Sequence, residues 1–144
     1  MRPMTPDDLY AIHWMGEADI SPDGERVAFV VTRMDRETDS YRSAIWLVDT
    51  GGGEPRQFTA GARRDTSPRW SPDGSMLAFV SERGEDKPQL AVMPATGGES
   101  RLLAKMPLGA GVPTWSPDGT RIALSAKTGT PPDPDPKKAK PYRR

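Results

Sequence analysis

The apolar residues of this chain fall in short, evenly spaced runs, each preceded by the same polar signal. Val27-Ala28-Phe29-Val30, Leu77-Ala78-Phe79-Val80 and Ile122-Ala123-Leu124 each follow a Ser-Pro-Asp-Gly tetrapeptide after a two-residue step. The tetrapeptides are Ser21 to Gly24, Ser71 to Gly74 and Ser116 to Gly119, and Trp70 and Trp115 stand directly before the second and third. Proline sets φ for the second position of a turn, aspartate accepts local backbone hydrogen bonds, and glycine supplies the positive φ that closes a hairpin. Each tetrapeptide therefore predicts a turn joining two strands. The runs are continuous instead of alternating, which predicts strands covered on both faces.

A second pattern lies between the tetrapeptides. Ile45-Trp46-Leu47-Val48 leads through Gly52-Gly53-Glu54 to Arg56-Gln57-Phe58, and Leu90-Ala91-Val92-Met93 leads through Gly97-Gly98-Glu99 to Arg101-Leu102-Leu103. These segments stand 45 residues apart, as do the second and third tetrapeptides, whereas the first two tetrapeptides are 50 apart. The extra five residues fall in the charged stretch Thr32 to Ser43, which reads as a lengthened loop. One unit thus holds four short strands. Repetition of such a unit about every 40–50 residues is the pattern of a β-propeller blade, which is stable only when neighbours stack on it.

The chain therefore reads as all-β: a partial propeller of about two and a half blades over 18–126, preceded by one short helix in 1–17. Thr5 can cap that helix with Pro6 at its first position, Asp7 and Asp8 suit its positive end, and Gly16 can stop it. Leu9, Ile12 and Met15 recur at helical spacing, and His13 and Trp14 fall in the same segment. Residues 127–144 hold five prolines, with six basic and two acidic side chains, and read as an extended basic linker or loop. Two units and a half cannot close a ring of four to eight blades. The expectation is the N-terminal part of something larger, truncated, proteolysed near Lys137, Lys138, Lys140, Arg143 or Arg144, or completed by another chain.

Composition narrows the chemistry. Glycines number 14 and prolines 16 among 144 residues, which fits short strands and many turns. No cysteine means no disulfide, thiolate metal site or cysteine nucleophile, and a single histidine cannot build a three-histidine zinc site. The 20 basic and 20 acidic side chains cancel, so nothing draws the chain to nucleic acid or an acidic membrane. No apolar run approaches the 18 residues of a helical membrane span, and no apolar segment follows the N-terminus as in a secretory signal. A cytoplasmic location is expected.

Candidate site residues reduce to structural roles. No Gly-x-Ser-x-Gly nucleophile elbow occurs, and His13 has no serine partner by spacing, so it reads as a packing or surface histidine. Asp23, Asp73 and Asp118 lie in separate turns without the dense oxygen ligands that calcium needs, so they read as turn stabilisers. Trp70, Trp115 and Trp46 follow the repeat and read as blade core, while Trp14 could seal the helix against a neighbour. Gly51-Gly52-Gly53 and Gly109-Ala110-Gly111 lack phosphate-loop spacing and read as turns, and Pro131 to Pro136 reads as linker. No catalytic, cofactor-binding or metal-ligating residue is expected in this chain.

Several segments together carry a resemblance: Thr5-Pro6-Asp7-Asp8-Leu9, the run from Ile20 through Ser-Pro-Asp-Gly-Glu-Arg to Val30, Tyr41-Arg-Ser-Ala-Ile-Trp-Leu-Val48, and Ser67-Pro-Arg-Trp-Ser-Pro-Asp-Gly74. They resemble the N-terminal region of acylaminoacyl-peptidase-like serine peptidases of the prolyl oligopeptidase family. The resemblance implies a propeller that restricts short peptides from reaching a C-terminal α/β-hydrolase domain with a Ser-Asp-His triad, a domain absent from this chain. The implied partners are that domain, the remaining blades and short or N-acylated peptides, with a homo-oligomer left open. TolB-like propellers share the turn repeats, so a protein-interaction module is the alternative.

Overall fold

A computed structural model describes residues 2–83, 87–127 and 129. Among the described residues, ten strands form three antiparallel sheets. The first contains β1 (His13–Ile20), β2 (Arg26–Asp35), β3 (Ser40–Asp49) and β4 (Arg56–Gln57), in that spatial order. The second repeats it with β5 (Asp65–Trp70), β6 (Met76–Ser81), β7 (Gln89–Pro94) and β8 (Arg101–Leu102). The third holds β9 (Ala110–Trp115) and β10 (Ile122–Ala126). The described residues are thus two four-stranded blades and the inner hairpin of a third, a partial propeller as the repeat predicts. The innermost strands follow one another from blade to blade, since β5 packs against sheet 1 and β9 against sheet 2.

The turn chemistry acts where the tetrapeptides place it. Gly24, Gly74 and Gly119 take φ of 75°, 70° and 69°, and each N–H donates to the carbonyl of the serine that opens its turn. A bulge also recurs in the inner strands. Pairing shifts between Gly16 and Ala18 in β1, and between Thr66 and Arg69 in β5. Glu17 and Ser67 sit at equivalent places in these bulges with φ of 26° and 54°, a left-handed backbone held by the flanking ladders.

Packing explains the continuous apolar runs. Leu77 and Phe79 of β6 face sheet 1 in a cluster with Ala28, Ile45, Leu47 and Trp70. Ala78 of the same strand faces sheet 3 with Leu90, Val92 and Ala110. Sheet 2 is therefore covered on both sides, and Leu77, Ala78 and Phe79 are wholly buried.

Two expectations are corrected. The N-terminal helix is a 3-10 helix confined to Pro6–Ala11, and β1 begins at His13, so the first blade starts there and not at residue 18. Asp8 accepts from the Thr5 backbone N–H at 2.7 Å and pairs with Arg2, which fixes the start of the helix. Its continuation fails because His13 to Gly16 pair with Arg33 to Val30 of β2, and ladder bonding overrides the helical spacing of Leu9, Ile12 and Met15. His13 and Trp14 are consequently strand residues. The second correction concerns Thr32 to Ser43, which is mostly ladder and not loop: β2 runs to Asp35, β3 restarts at Ser40, and Thr32 faces Ser43 across a 2.8 Å hydroxyl hydrogen bond. The Asp35 carboxylate ties the hairpin tip together, accepting from Thr38 and lying 3.0 Å from Arg42. The expected linker 127–144 lies outside the described residues except for positions 127 and 129.

Candidate functional site

The site built most deliberately by this sequence is the seam between blades. Its first component is the tetrapeptide turn. Ser21, Ser71 and Ser116 donate their hydroxyls to Asp23, Asp73 and Asp118 at 2.5, 2.5 and 2.6 Å. Each serine oxygen accepts in return from the backbone N–H five residues on, at Arg26, Met76 and Arg121. Hydrogen bonds from the serine hydroxyl first, then from neighbouring donors, hold all three aspartates below the usual carboxylate range, with Asp73 at about 2. Among the described residues no cluster of three or more His, Asp or Glu is placed to hold a metal ion.

The second component links one blade to the next. The Trp70 indole Nε1 donates to the carbonyl of Asp19 at 3.2 Å, and the Trp115 indole Nε1 donates to the carbonyl of Arg69 at 3.0 Å. Asp19 and Arg69 hold the same place in successive units, so one contact occurs twice. The Asp19 carboxylate also accepts from the Trp70 backbone N–H at 2.8 Å. Arg26 lies over the Trp70 ring, 4.7 Å from its centroid, where the cation meets the negative face of the indole. The turns touch as well: a Cβ on Gly74 would lie 3.6 Å from Pro22 Cδ, and one on Gly119 would lie 3.6 Å from Pro72 Cδ.

The remaining singled-out residues do not converge. His13 is exposed and lines a cavity of about 210 Å3 with Arg33, Trp46 and Ser43. The Ser43 hydroxyl is engaged with Thr32, and no hydrogen bond joins His13 to a serine among the described residues. Trp70 is buried, Trp115 and Trp46 are half-buried, and Trp14 meets Tyr41 edge to face at 5.7 Å. Gly52 and Gly53 take positive φ in the turn before β4, and Gly109 takes φ 95° before β9. Pro131 to Pro136 lies outside the described residues.

One polar cluster has no signal in the sequence. Asp65, 1% exposed at the start of β5, accepts from Ser81 and from Arg83, both at 2.7 Å, and Arg83 also donates to Ser100 at 2.7 Å. These partners belong to no motif, and only the strand pairing brings Asp65 opposite Ser81.

With this geometry established, the family model of the TolB beta propeller domain matches residues 14–131. The chain belongs to the TolB β-propeller family. Among relatives of this propeller, the uncharacterized peptidase YuxL of Bacillus subtilis is 44% identical over 106 residues, covering 74% of this chain and 16% of the relative. Dipeptidyl-peptidase 5 of Porphyromonas endodontalis is 26% identical over 106 residues, covering 74% of this chain and 15% of its own length. The propeller chain therefore spans about a sixth of these relatives. In structure it superposes on the acylaminoacyl peptidase of Pyrococcus horikoshii with a TM-score of 0.65 at 19% identity, covering 81% of this chain and 18% of that one. It superposes on TolB of Acinetobacter baumannii with a TM-score of 0.63 at 23% identity, covering 81% and 27%. These likenesses to solved structures establish the propeller fold.

Proposed function

We propose that this chain is the N-terminal propeller segment of a serine exopeptidase acting on short or N-acylated peptides. In this reading it restricts substrate access to a C-terminal α/β-hydrolase domain carried elsewhere in the same protein. The 44% identity to a protein named as a peptidase carries the proposal, since it extends over 74% of this chain. The part played by the segment is mechanical. Stacked blades joined by side-chain and main-chain hydrogen bonds make a stiff wall, and a stiff wall can reject a folded protein while passing a short extended peptide. Bond cleavage, on this reading, is the task of a serine outside residues 1–144.

The complete protein should be treated with a fluorophosphonate probe and assayed on N-acetylated peptides and unblocked dipeptide substrates. Covalent labelling of one serine, with cleavage of short substrates and sparing of folded proteins, is the expected result. Absence of labelling and of cleavage would sink the peptidase reading. The second reading, a TolB-like protein-interaction propeller, is favoured by the family match over residues 14–131, and it would be supported by further blades downstream with no Gly-x-Ser-x-Gly.

A further inference from the structure

The end of the molecule opposite the tetrapeptide turns holds a cavity that the repeat does not account for. β2 leaves the first turn at Arg26 and reaches its hairpin tip at Asp35, and β5 runs from Asp65 to the second turn, so the tip and the approach to β5 share that far end. β2 has ten residues and β6 six, so the first hairpin continues past the end of β6 and walls the cavity on one side. The space is about 570 Å3, within the range of small-ligand sites, and is lined by Ser40, Tyr41, Arg42, Arg63, Arg64 and Glu82. Its three arginines are unequally matched. Arg42 lies 3.0 Å from Asp35 and donates to the Ala62 carbonyl at 3.0 Å. Arg64 faces Glu82 at 4.0 Å, the limit of an ion pair. Arg63 is exposed, and its guanidinium has no partner among the described residues. The main chain beneath it is nevertheless held: the Arg63 carbonyl accepts from the Ser43 N–H at 3.0 Å, and the Arg64 carbonyl from the Glu82 N–H at 3.0 Å. The Tyr41 hydroxyl also has no partner among the described residues, while Trp14 braces the Tyr41 ring edge to face at 5.7 Å.

We propose that this cavity binds the free C-terminal carboxylate of a short peptide. One unopposed cation matches one carboxylate, whereas a phosphate dianion would leave charge unmet. The Arg63 guanidinium would donate to both carboxylate oxygens through parallel N–H groups, the fork for which arginine is suited. The Tyr41 hydroxyl would donate from the side, and the Tyr41 and Trp14 rings offer an apolar wall to the last side chain. Glu82 disfavours a second negative charge on the ligand. The choice of a peptide to carry the carboxylate rests on the peptidase reading, whereas the carboxylate itself rests on the arginines. Such a pocket adds a chemical criterion, a free chain end, to the steric one of a stiff wall.

The test uses the complete protein, treated first with a fluorophosphonate so that the bound peptide stays intact. Calorimetric titration compares N-acetyl-alanyl-phenylalanine with its C-terminal amide. The expected result is binding of the acid at least about tenfold tighter, the smaller end of what a charge-assisted hydrogen bond contributes. Arg63→Gln should abolish the difference, Arg63→Lys should keep part of it, and Arg101→Gln, an exposed change on β8, should leave it whole. Arg63→Gln should melt with the parent protein, since the guanidinium it removes has no partner among the described residues. Equal affinity for acid and amide would overturn the inference, as would a difference that survives Arg63→Gln. Stronger competition by inorganic phosphate than by acetate would assign a phosphoryl ligand and overturn it too. The titration reads binding and not hydrolysis, so absence of serine labelling removes the peptidase reading and leaves the comparison of acid with amide standing.

Discussion

Trp70 hydrogen-bonds twice to Asp19, through its indole N–H to the carbonyl at 3.2 Å and through its backbone N–H to the carboxylate at 2.8 Å. One residue of the second blade thereby holds one residue of the first at main chain and side chain together, with the ring 6% exposed at their junction.

Replacing Trp70 by Phe removes the indole donor, leaves the Asp19 carbonyl short of a partner and shrinks a buried ring. Loss of a buried hydrogen bond costs about 1–3 kcal/mol, and the lost volume adds to it. Urea denaturation of the Trp70→Phe variant of the complete protein checks the loss, and an unchanged midpoint would contradict it.

Acid should act on the turns in a defined window. Asp73 sits at about 2 in the folded protein because Ser71, then Ser75, donate to its carboxylate. A depressed folded value means that the stabilisation is fully present above the unfolded value near 4 and is lost as pH falls from there through about 2. Asp73→Asn should flatten the stability profile between about pH 4 and pH 2, measured by thermal melts across that range. An unchanged acid limb would remove the turn from the explanation.

Arg83 should be hard to replace alone. Its partner Asp65 has a side chain only 2% exposed, whereas Arg83 keeps 30%. Breaking a buried pair from one side costs about 3–5 kcal/mol, and the exposure of Arg83 puts Arg83→Met at the lower end, about 3 kcal/mol. The double change with Asp65→Leu should recover part of that loss. A double-mutant cycle in denaturant measures it, with additive losses as the contrary outcome.

Residues 1–144 expressed alone should aggregate or melt without cooperativity. Sheet 3 leaves Ala123 and Val112 exposed, and sheet 1 leaves Ile20 exposed, where a propeller has neighbours. Light scattering and a thermal scan decide it, and a soluble monomer with a sharp transition would refute it.

The turns and strand ends were legible in the sequence because proline and glycine dictate backbone geometry locally. Trp70 and Trp115 close their strands where the tetrapeptides begin. The N-terminal segment was less legible, because Leu9, Ile12 and Met15 satisfy helical spacing while the deciding influence, pairing of His13 to Gly16 with β2, comes from residues 14–20 positions away. The charged Thr32 to Ser43 stretch looked like loop for a similar reason: its order comes from cross-strand partners such as Thr32 with Ser43, not from apolar patterning. The seam was half legible. Tryptophan at the repeat period marks it, but the acceptors are main-chain carbonyls, which no side-chain pattern records.

In both seams the indole donor lies C-terminal to its acceptor. A ribosome adding about 5–20 residues per second delivers one 45-residue unit in about 2–9 s. Hairpins form in about 1–10 μs, so the β1–β2 pairing that presents the Asp19 carbonyl is sampled many times before Trp70 emerges, and it becomes stable only once the next blade stacks on it. Each arriving tryptophan thus supplies the bond that fixes the unit made before it, and the direction of translation matches the direction of assembly.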